Sequence, residues 1–198
     1  LVKPITKYAV LLKDKNLIRY ELEKMLYFAK EGRPGPVLMD LPDDLQRADI
    51  NPKKLKKFTP PKNKKNIVNF EKKFISLINE SKKPLIVLGH GINLSKTHKQ
   101  VKQFIKKTGI PFSPSWATID LFNYNHKLNA GTFGVAATRY GNFAIQNSDL
   151  LISFGCRLNT QITGSNIKSF APKAKKIIID IDENEFKKNN GLKIDLKI

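Results

Sequence analysis

Four short apolar segments, separated by stretches of helical spacing, constrain the fold of this chain more than any other feature. The apolar segments are residues 84–88, 110–113, 150–154 and 176–181. The helical stretches are residues 67–78, 101–109 and 140–147. Strands that helices cover on both faces are buried throughout, so they read as continuous apolar runs. The sequence therefore predicts an α/β fold, a parallel sheet with helices on both faces.

The first part of the chain has a different organisation. Residues 17–30 have helical spacing, a turn rich in Gly and Pro follows, and Val37-Leu38-Met39 reads as a short strand. Residues 51–65 hold three Pro and seven Lys with few apolar residues, which predicts a solvated linker. We therefore divide the chain into a first domain at 1–50, a linker at 51–65 and a second domain at 66–198.

We expect the first 50 residues to form a helix and a strand without a closed core, and to expose apolar faces where the rest of their domain is missing. The chain starts at Leu1 without Met. We expect it to be an interior segment of a longer protein that contains most of the second domain.

The net charge of +19 comes from 31 Lys and only five Arg, spread along the chain. Nucleic-acid sites favour Arg for bidentate contacts, so we expect solvated Lys and no nucleic-acid partner. A basic protein that binds a polyanion remains an alternative. Cys156 is the single cysteine, which excludes an intrachain disulfide and a cysteine-based metal site. His90 has no second ligand at metal spacing, so no metal site is predicted.

No apolar run approaches the roughly 18 residues that a membrane span needs. The start of the chain also lacks the apolar region of a signal peptide. These features predict no membrane contact and a cytoplasmic location.

Glycines, one arginine and carboxylates follow the predicted strands. In open parallel sheets, ligands bind beyond the carboxyl ends of the strands, so these residues are candidates for a nucleotide site. The dinucleotide pattern G-x-G-x-x-G is incomplete, because Leu94 stands where the third glycine should be. The residues after the four strands, in order, are Gly89-His90-Gly91, Ser115-Trp116-Ala117, Gly155-Cys156-Arg157, and Asp180 with Asp182.

Each of these residues also has a purely structural interpretation. The glycines would then serve only as turn residues, and Trp116 would pack rather than stack on a ligand. Cys156 follows a buried strand and is better explained as a small core residue than as a nucleophile. Asp180 and Asp182 would charge a strand end and the next helix start.

The ordered motifs resemble the thiamine-diphosphate-dependent enzymes, and in particular acetolactate synthase large subunits. The first motif, Gly32 to Pro42 (GRPGPVLMDLP), is similar to the end of their pyrimidine-binding domain. The later motifs are similar to their central domain. They are Lys83-Pro84, Gly89-His90-Gly91, Phe133-Gly134, Arg139-Tyr140-Gly141-Asn142, Ser148-Asp149-Leu150-Leu151, Phe154 to Leu158, Thr163-Gly164 and Ile179 to Glu185.

The resemblance implies a Rossmann-like central domain with six parallel strands that carries FAD in acetolactate synthases. It also implies that thiamine diphosphate and Mg²⁺ are bound by domains outside these residues. No catalytic residue is expected here, because the activating Glu and the Gly-Asp-Gly metal motif are absent. The implied FAD contacts are Gly89, His90, Gly91, Ser115, Trp116, Ala117, Phe133, Gly134, Val135, Ala136, Gly155, Cys156, Arg157, Asp180, Ile181 and Glu185.

The implied activity is a carboligase or decarboxylase acting on a 2-oxo acid such as pyruvate, in a homodimer or homotetramer. Flavin-binding members have three glycines where this chain has Gly89-His90-Gly91, and a charged run where it has Asn159-Thr160-Gln161. Two alternatives therefore stay open. One is a relative in carbohydrate biosynthesis, and the other is a nucleotide- or FAD-binding module without thiamine chemistry.

Overall fold

A computed structural model describes residues 1–62, 69–188 and 191–198. The chain divides into two compact units, Leu1–Asn66 and Ile67–Ile198. The last three residues of the predicted linker, 63–65, and the predicted helical position Ile67 lie outside the described residues.

The N-terminal unit is built on two parallel strands and one long helix. Strand β1 (Tyr8–Leu11) pairs in parallel with β2 (Val37–Asp40), and helix α1 (Ile18–Lys30) connects them. The short helix α2 (Asp43–Gln46) follows β2. Single 3-10 turns lie at Lys3–Ile5, Lys15–Leu17 and Pro52–Lys54. The predicted helix at 17–30 and strand at 37–39 are confirmed to within one residue, whereas β1 was not predicted.

This N-terminal unit buries almost nothing. Leu12 is the one buried residue among residues 1–62, at 2% exposure. Leu22 and Leu26 of α1 stay exposed, and with Ile18 and Ile50 they line an open groove of about 440 Å³. The two strands form a sheet separate from that of the second unit. The prediction that the first 50 residues expose apolar faces is confirmed.

The second unit contains one parallel sheet of five strands, in the order β4-β3-β5-β6-β7. The predicted parallel α/β sheet is confirmed, and the bounds of β3 and β5 match those predicted. Strand β4 starts two residues later than predicted and β6 ends two residues earlier, while the two-residue β7 was not predicted. The strands are β3 (Pro84–Leu88), β4 (Phe112–Pro114), β5 (Leu150–Phe154), β6 (Lys175–Ile179) and β7 (Leu196–Lys197).

The resemblance implied six parallel strands, whereas the described residues form five, with one isolated bridge beside β4. Asn129 pairs in parallel with Phe112 on the outer side of β4. The Phe112 N–H donates to Leu128 O at 2.9 Å, and the Ala130 N–H donates to Phe112 O at 2.8 Å.

The described residues of this unit form six helices, of which α3 precedes the first strand and the other five lie between strands. The three predicted helices are present, the first beginning at Glu71 and the second at His98. The second ends before Gly109, whose left-handed backbone (φ 66°) supplies the stop. The helices are α3 (Glu71–Glu80), α4 (Gly91–Ser95), α5 (His98–Thr108), α6 (Arg139–Asn147), α7 (Thr160–Thr163) and α8 (Glu183–Lys188), with 3-10 turns at Trp116–Thr118 and Ile167–Ser169.

Alternate residues of the central strands face two separate cores. Ile86 and Leu88 of β3 pack in one cluster, with Ile105 of α5. Leu85 and Val87 of β3 pack in the other, with Ile145 of α6. Side chains on a strand point to opposite faces in turn, so this double burial explains why β3 is apolar throughout and shows no alternation that would reveal its period.

No helix among residues 1–62, 69–188 and 191–198 is long and apolar enough to cross a membrane.

The order of the strands creates a switch point between β3 and β5. The chain moves from β3 to β4 on one side and then returns to add β5 on the other side. The turns that follow β3 and β5 therefore leave neighbouring strands at the same edge of the sheet. In open α/β sheets this is where ligands bind.

Asp149 ties together the amino ends of three strands. Its carboxylate accepts hydrogen bonds from the Ser81 hydroxyl and from the backbone N–H groups of Lys82 and Lys83, the latter two at 2.8 and 2.9 Å. Its carbonyl accepts from the Lys175 N–H at 2.9 Å. Burial raises the pKa of the Asp149 carboxyl, but these hydrogen bonds outweigh it and hold the pKa below its usual value.

We predict that Asp149→Asn destabilises the protein by about 1–2 kcal/mol, because an amide cannot accept all three hydrogen bonds and carries no charge. The part that depends on charge is fully present above pH 3.8, the ordinary value, and is lost as the pH falls through the lower folded-state pKa. Chemical denaturation at pH 7 and at acid pH measures both effects. Asp120→Asn, at an exposed position, is the matched control. Equal losses in the two variants would contradict the prediction.

Candidate functional site

The turns after β3 and β5 touch each other through their backbones. The Gly89 N–H donates to Phe154 O at 2.9 Å, and the Gly91 N–H donates to Gly155 O at 3.0 Å. A Cβ atom on Gly91 would lie 2.7 Å from the Gly155 Cα, and one on Gly89 would overlap the backbone of Cys156. Gly155 has a φ of 55°, which L side chains rarely adopt. All three glycines are therefore required by the close approach of the two turns.

The N–H groups of these glycines are already used inside the protein. Those of Gly89 and Gly91 bind the turn after β5, and that of Gly155 donates to Ile179 O at 2.8 Å. A diphosphate near this turn would have to be held by other donors. The sequence analysis named Gly89-His90-Gly91 and Arg157 as candidates for a nucleotide site, and that role stays a prediction. His90, between the glycines, is exposed.

Arg157 forms an ion pair that the sequence analysis did not include. Its Nε lies 3.2 Å from Oε1 of Glu185 in α8. The Arg157 side chain is 51% exposed, whereas that of Glu185 is 5% exposed. The pair joins the end of β5 to the helix after β6. Two of the predicted site residues are thus brought into direct contact, one at the surface and one below it.

Cys156 lies in the core beside the glycine turns, at 3% exposure. Burial raises the pKa of its thiol to about 11, and the charges of Asp180 and Glu185 act in the same direction. A hydrogen bond from the Leu158 backbone opposes them. Because the thiolate is the reactive form, this environment suits a packing residue and not a nucleophile.

The turn after β4 reaches the same edge of the sheet. The Ser115 N–H donates to Leu88 O at 2.9 Å, and the side chain of Asn93 donates to Ala117 O at 2.8 Å. Ser115 is buried, but Trp116 is 51% exposed. Trp116 is therefore accessible to a ligand. A residue that served only to pack in the core would not need this exposure.

The segment 133–136 is held by the side-chain amide of Asn142. The Gly134 N–H donates to Asn142 Oδ1, and Asn142 Nδ2 donates to Gly134 O, both at 2.9 Å. Phe133 is 1% exposed and packs in the core on the α6 side of the sheet, so its ring is not at the surface. Val135, by contrast, is 76% exposed.

The residues after β6 shape the start of α8. Asp180 accepts a hydrogen bond from the Asp182 N–H, and Asp182 accepts one from the Asn184 N–H, both at 3.0 Å. These bonds agree with the structural interpretation of both aspartates, and a contact of either one with a nucleotide stays a prediction. Ile181 between them is 72% exposed.

The structure therefore sorts the predicted site residues into two sets. Gly89, Gly91, Gly155, Cys156 and Glu185 are used in holding the strand ends together, and Phe133, Ser115 and Gly134 are also buried. The exposed members lie after four successive strand ends or on the 133–136 segment, and they are His90, Trp116, Ala117, Val135, Ala136, Arg157 and Ile181. Asp180 is half-buried.

The exposed set suits a ligand that is partly planar and partly anionic. Trp116, Val135 and Ile181 offer apolar surface, and Arg157 offers a cation at the same edge of the sheet. An adenine dinucleotide has both chemical parts. Among the described residues, no three His, Cys, Asp or Glu side chains are grouped as a metal site would require.

Sequence reasoning assigned no role to Asn142 or Asn93, which hold two of the turns at this edge. Asn142 was quoted only as part of the Arg139-Tyr140-Gly141-Asn142 motif. The Asn142 side chain binds both the N–H and the carbonyl of Gly134, eight residues earlier. A contact of this kind leaves no periodic pattern in the sequence. The motif itself was the one signal that could have drawn attention to it.

Comparison with known proteins agrees with this architecture. The family model described as "Thiamine pyrophosphate enzyme, central domain" matches residues 72–198. The chain belongs to this family, which confirms the resemblance seen in its motifs.

Particular relatives are acetolactate synthases from a plant, a bacterium and an archaeon. Acetolactate synthase 2, chloroplastic, of Nicotiana tabacum is 33% identical over 94% of this chain and 28% of its own length. The acetolactate synthase large subunit of Corynebacterium glutamicum is 34% identical over 93% of the chain and 30% of its own. The probable large subunit of Methanococcus aeolicus is 34% identical over 96% and 32%. The chain thus spans about a third or less of the length of these relatives.

We predict that Cys156 resists alkylation in the folded protein. With a pKa of about 11, about one thiol in a thousand is ionised at pH 8, and burial also blocks access. Iodoacetamide labelling followed by mass spectrometry should be slow in buffer and fast in guanidinium chloride. Equal labelling rates in the two solutions would show that the thiol is accessible and reactive.

Proposed function

We propose that this chain is part of a thiamine-diphosphate-dependent carboligase or decarboxylase that acts on a 2-oxo acid, with acetolactate synthase-like activity. The observation that carries the proposal is the similarity to acetolactate synthases from a plant, a bacterium and an archaeon along 93–96% of the chain. The similarity includes the N-terminal unit, which the central-domain match at residues 72–198 does not cover.

Thiamine diphosphate, when bound, serves as the electron sink for the carbanion left after a 2-oxo acid loses carbon dioxide. We assign the residues that hold it and Mg²⁺ to other parts of the protein. Within this chain, residues 1–50 would complete the pyrimidine-binding domain, and residues 66–198 would form the central domain. No catalytic residue is assigned to these 198 residues, and the chain alone should be inactive.

We further propose that the central unit binds FAD at the carboxyl edge of its sheet. The accessible ring of Trp116 and the exposed side chains of Val135 and Ile181 offer the apolar surface that a ring system requires. Arg157 supplies a planar cation for the diphosphate, and Asp180 is the candidate partner of a ribose hydroxyl.

The assembly is proposed to be a homodimer or homotetramer in the cytoplasm. Support comes from the N-terminal unit, in which Leu22 and Leu26 are 47% and 60% exposed. Apolar side chains that line a groove are usually covered in the complete protein, by its remaining domains or by another subunit.

We predict that the full-length protein forms acetolactate from pyruvate when thiamine diphosphate and Mg²⁺ are supplied. The measurement is product formation by colour assay and by mass spectrometry. Omission of thiamine diphosphate is the control and should abolish the product. The protein could instead decarboxylate or ligate a different 2-oxo acid and fail to turn over pyruvate. That result would support thiamine chemistry but contradict the acetolactate synthase-like assignment.

We predict that Trp116→Ala weakens FAD binding by the full-length protein about tenfold, because stacking on one exposed ring is lost. Flavin fluorescence quenching during titration measures the affinity. Phe143→Ala is the matched control, since Phe143 is an aromatic residue of similar exposure in the middle of α6 (58%, against 51% for Trp116). It should leave the affinity unchanged. An equal effect of both variants would contradict a specific contact with Trp116.

A further inference from the structure

We propose that Glu185 is a positioning residue for nucleotide binding. It would hold the guanidinium of Arg157 at the carboxyl edge of the sheet, where Arg157 meets the anionic part of the nucleotide, and would not touch the nucleotide itself. The inference rests on the proposed function, because it assumes that this edge binds a nucleotide.

The difference in burial between the two side chains assigns their roles. Oε1 of Glu185 and Nε of Arg157 are 3.2 Å apart, but the Glu185 side chain is 5% exposed and the Arg157 side chain 51%. A ligand arriving from solvent can reach the guanidinium. The carboxylate is almost entirely buried and is therefore not available to the ligand in the same way.

The chemistry of the pair suits positioning. A guanidinium carries five N–H donors in one plane, so a contact through Nε fixes the plane and leaves other donors for a second anion. A free arginine side chain loses much rotamer freedom when it binds a ligand. One that a carboxylate already holds loses less, so the affinity is higher.

The backbone around Glu185 is itself held in place. The Glu185 N–H donates to Asp182 O at 3.0 Å in the first turn of α8, and the Asp182 N–H donates to Asp180 Oδ1 at 3.0 Å. The side chain of Glu185 therefore extends from a fixed turn after β6. It contacts the side chain of Arg157, which extends from the turn after β5. Two neighbouring strand ends determine where the guanidinium lies.

Two other roles for Glu185 make different predictions. A residue that only fastens α8 would affect stability and leave the affinity of the folded protein unchanged. A carboxylate that acts only by its charge would repel a diphosphate, so its removal would tighten binding. Positioning predicts weaker binding on removal of a negative charge, which is the opposite sign.

The experiment is a double-mutant cycle on the full-length protein. The affinities for FAD and ADP are measured by calorimetry for the wild type, Glu185→Gln, Arg157→Ala and the double variant. We expect Glu185→Gln to weaken both ligands about tenfold, and to have no further effect when Arg157 is already alanine. Glu183→Gln removes the same charge from an exposed position of the same helix, and should leave the affinity unchanged or slightly higher.

Three results would overturn the positioning role. These are unchanged or tighter binding by Glu185→Gln, a loss of equal size in the Arg157→Ala background, and an equal loss in Glu183→Gln. If Glu185→Gln does not fold, Glu185→Asp and Arg157→Lys serve instead. The aspartate variant should retain part of the affinity, whereas the lysine variant should lose it because the planar donor is gone.

The outcome separates the two proposals. A wild-type protein that binds neither FAD nor ADP would overturn both the cofactor assignment and the positioning role. Wild-type binding that Glu185→Gln does not weaken would overturn the positioning role alone.

Discussion

The backbone contact between the turns after β3 and β5 is the constraint on which the candidate site depends. It requires glycine at positions 89 and 91, because a Cβ atom there would overlap Gly155 or Cys156. It also uses the N–H groups of both glycines, so they bind the protein and not a ligand. The close approach brings the neighbouring strand ends together and leaves recognition to the side chains around the turns.

Those side chains divide between a supporting layer and an accessible one. Cys156 and Glu185 lie in the supporting layer, buried beneath the turns. Trp116, Arg157 and Ile181 lie in the accessible layer, each more than half exposed. A site that combines a rigid backbone contact with exposed side chains keeps its geometry independent of the ligand, which is what a preorganised binding edge requires.

The sheet could be predicted from the sequence because β3 is a continuous apolar run, β5 is interrupted only by Ser153, and both are bounded by polar or glycine residues. Strand β7 was missed although a signal was present, because the apolar residues Leu192, Ile194, Leu196 and Ile198 alternate with polar ones as in a half-buried strand. Its pairing with β6 is a property of the tertiary fold. The strand end at Ile181 was also misplaced. Its side chain is apolar, but the chain has already left the sheet there and the residue is 72% exposed.

The sequence by itself determined the class of fold, the family and the strand ends at which the candidate residues lie, because apolar periodicity and motif order are local properties of the chain. Only the tertiary structure decided which candidates reach the surface. It buried Phe133 beneath α6, paired Arg157 with Glu185 and directed the glycine N–H groups inward. The physical reason is that burial and pairing depend on residues from different strand ends, whose approach no local pattern encodes.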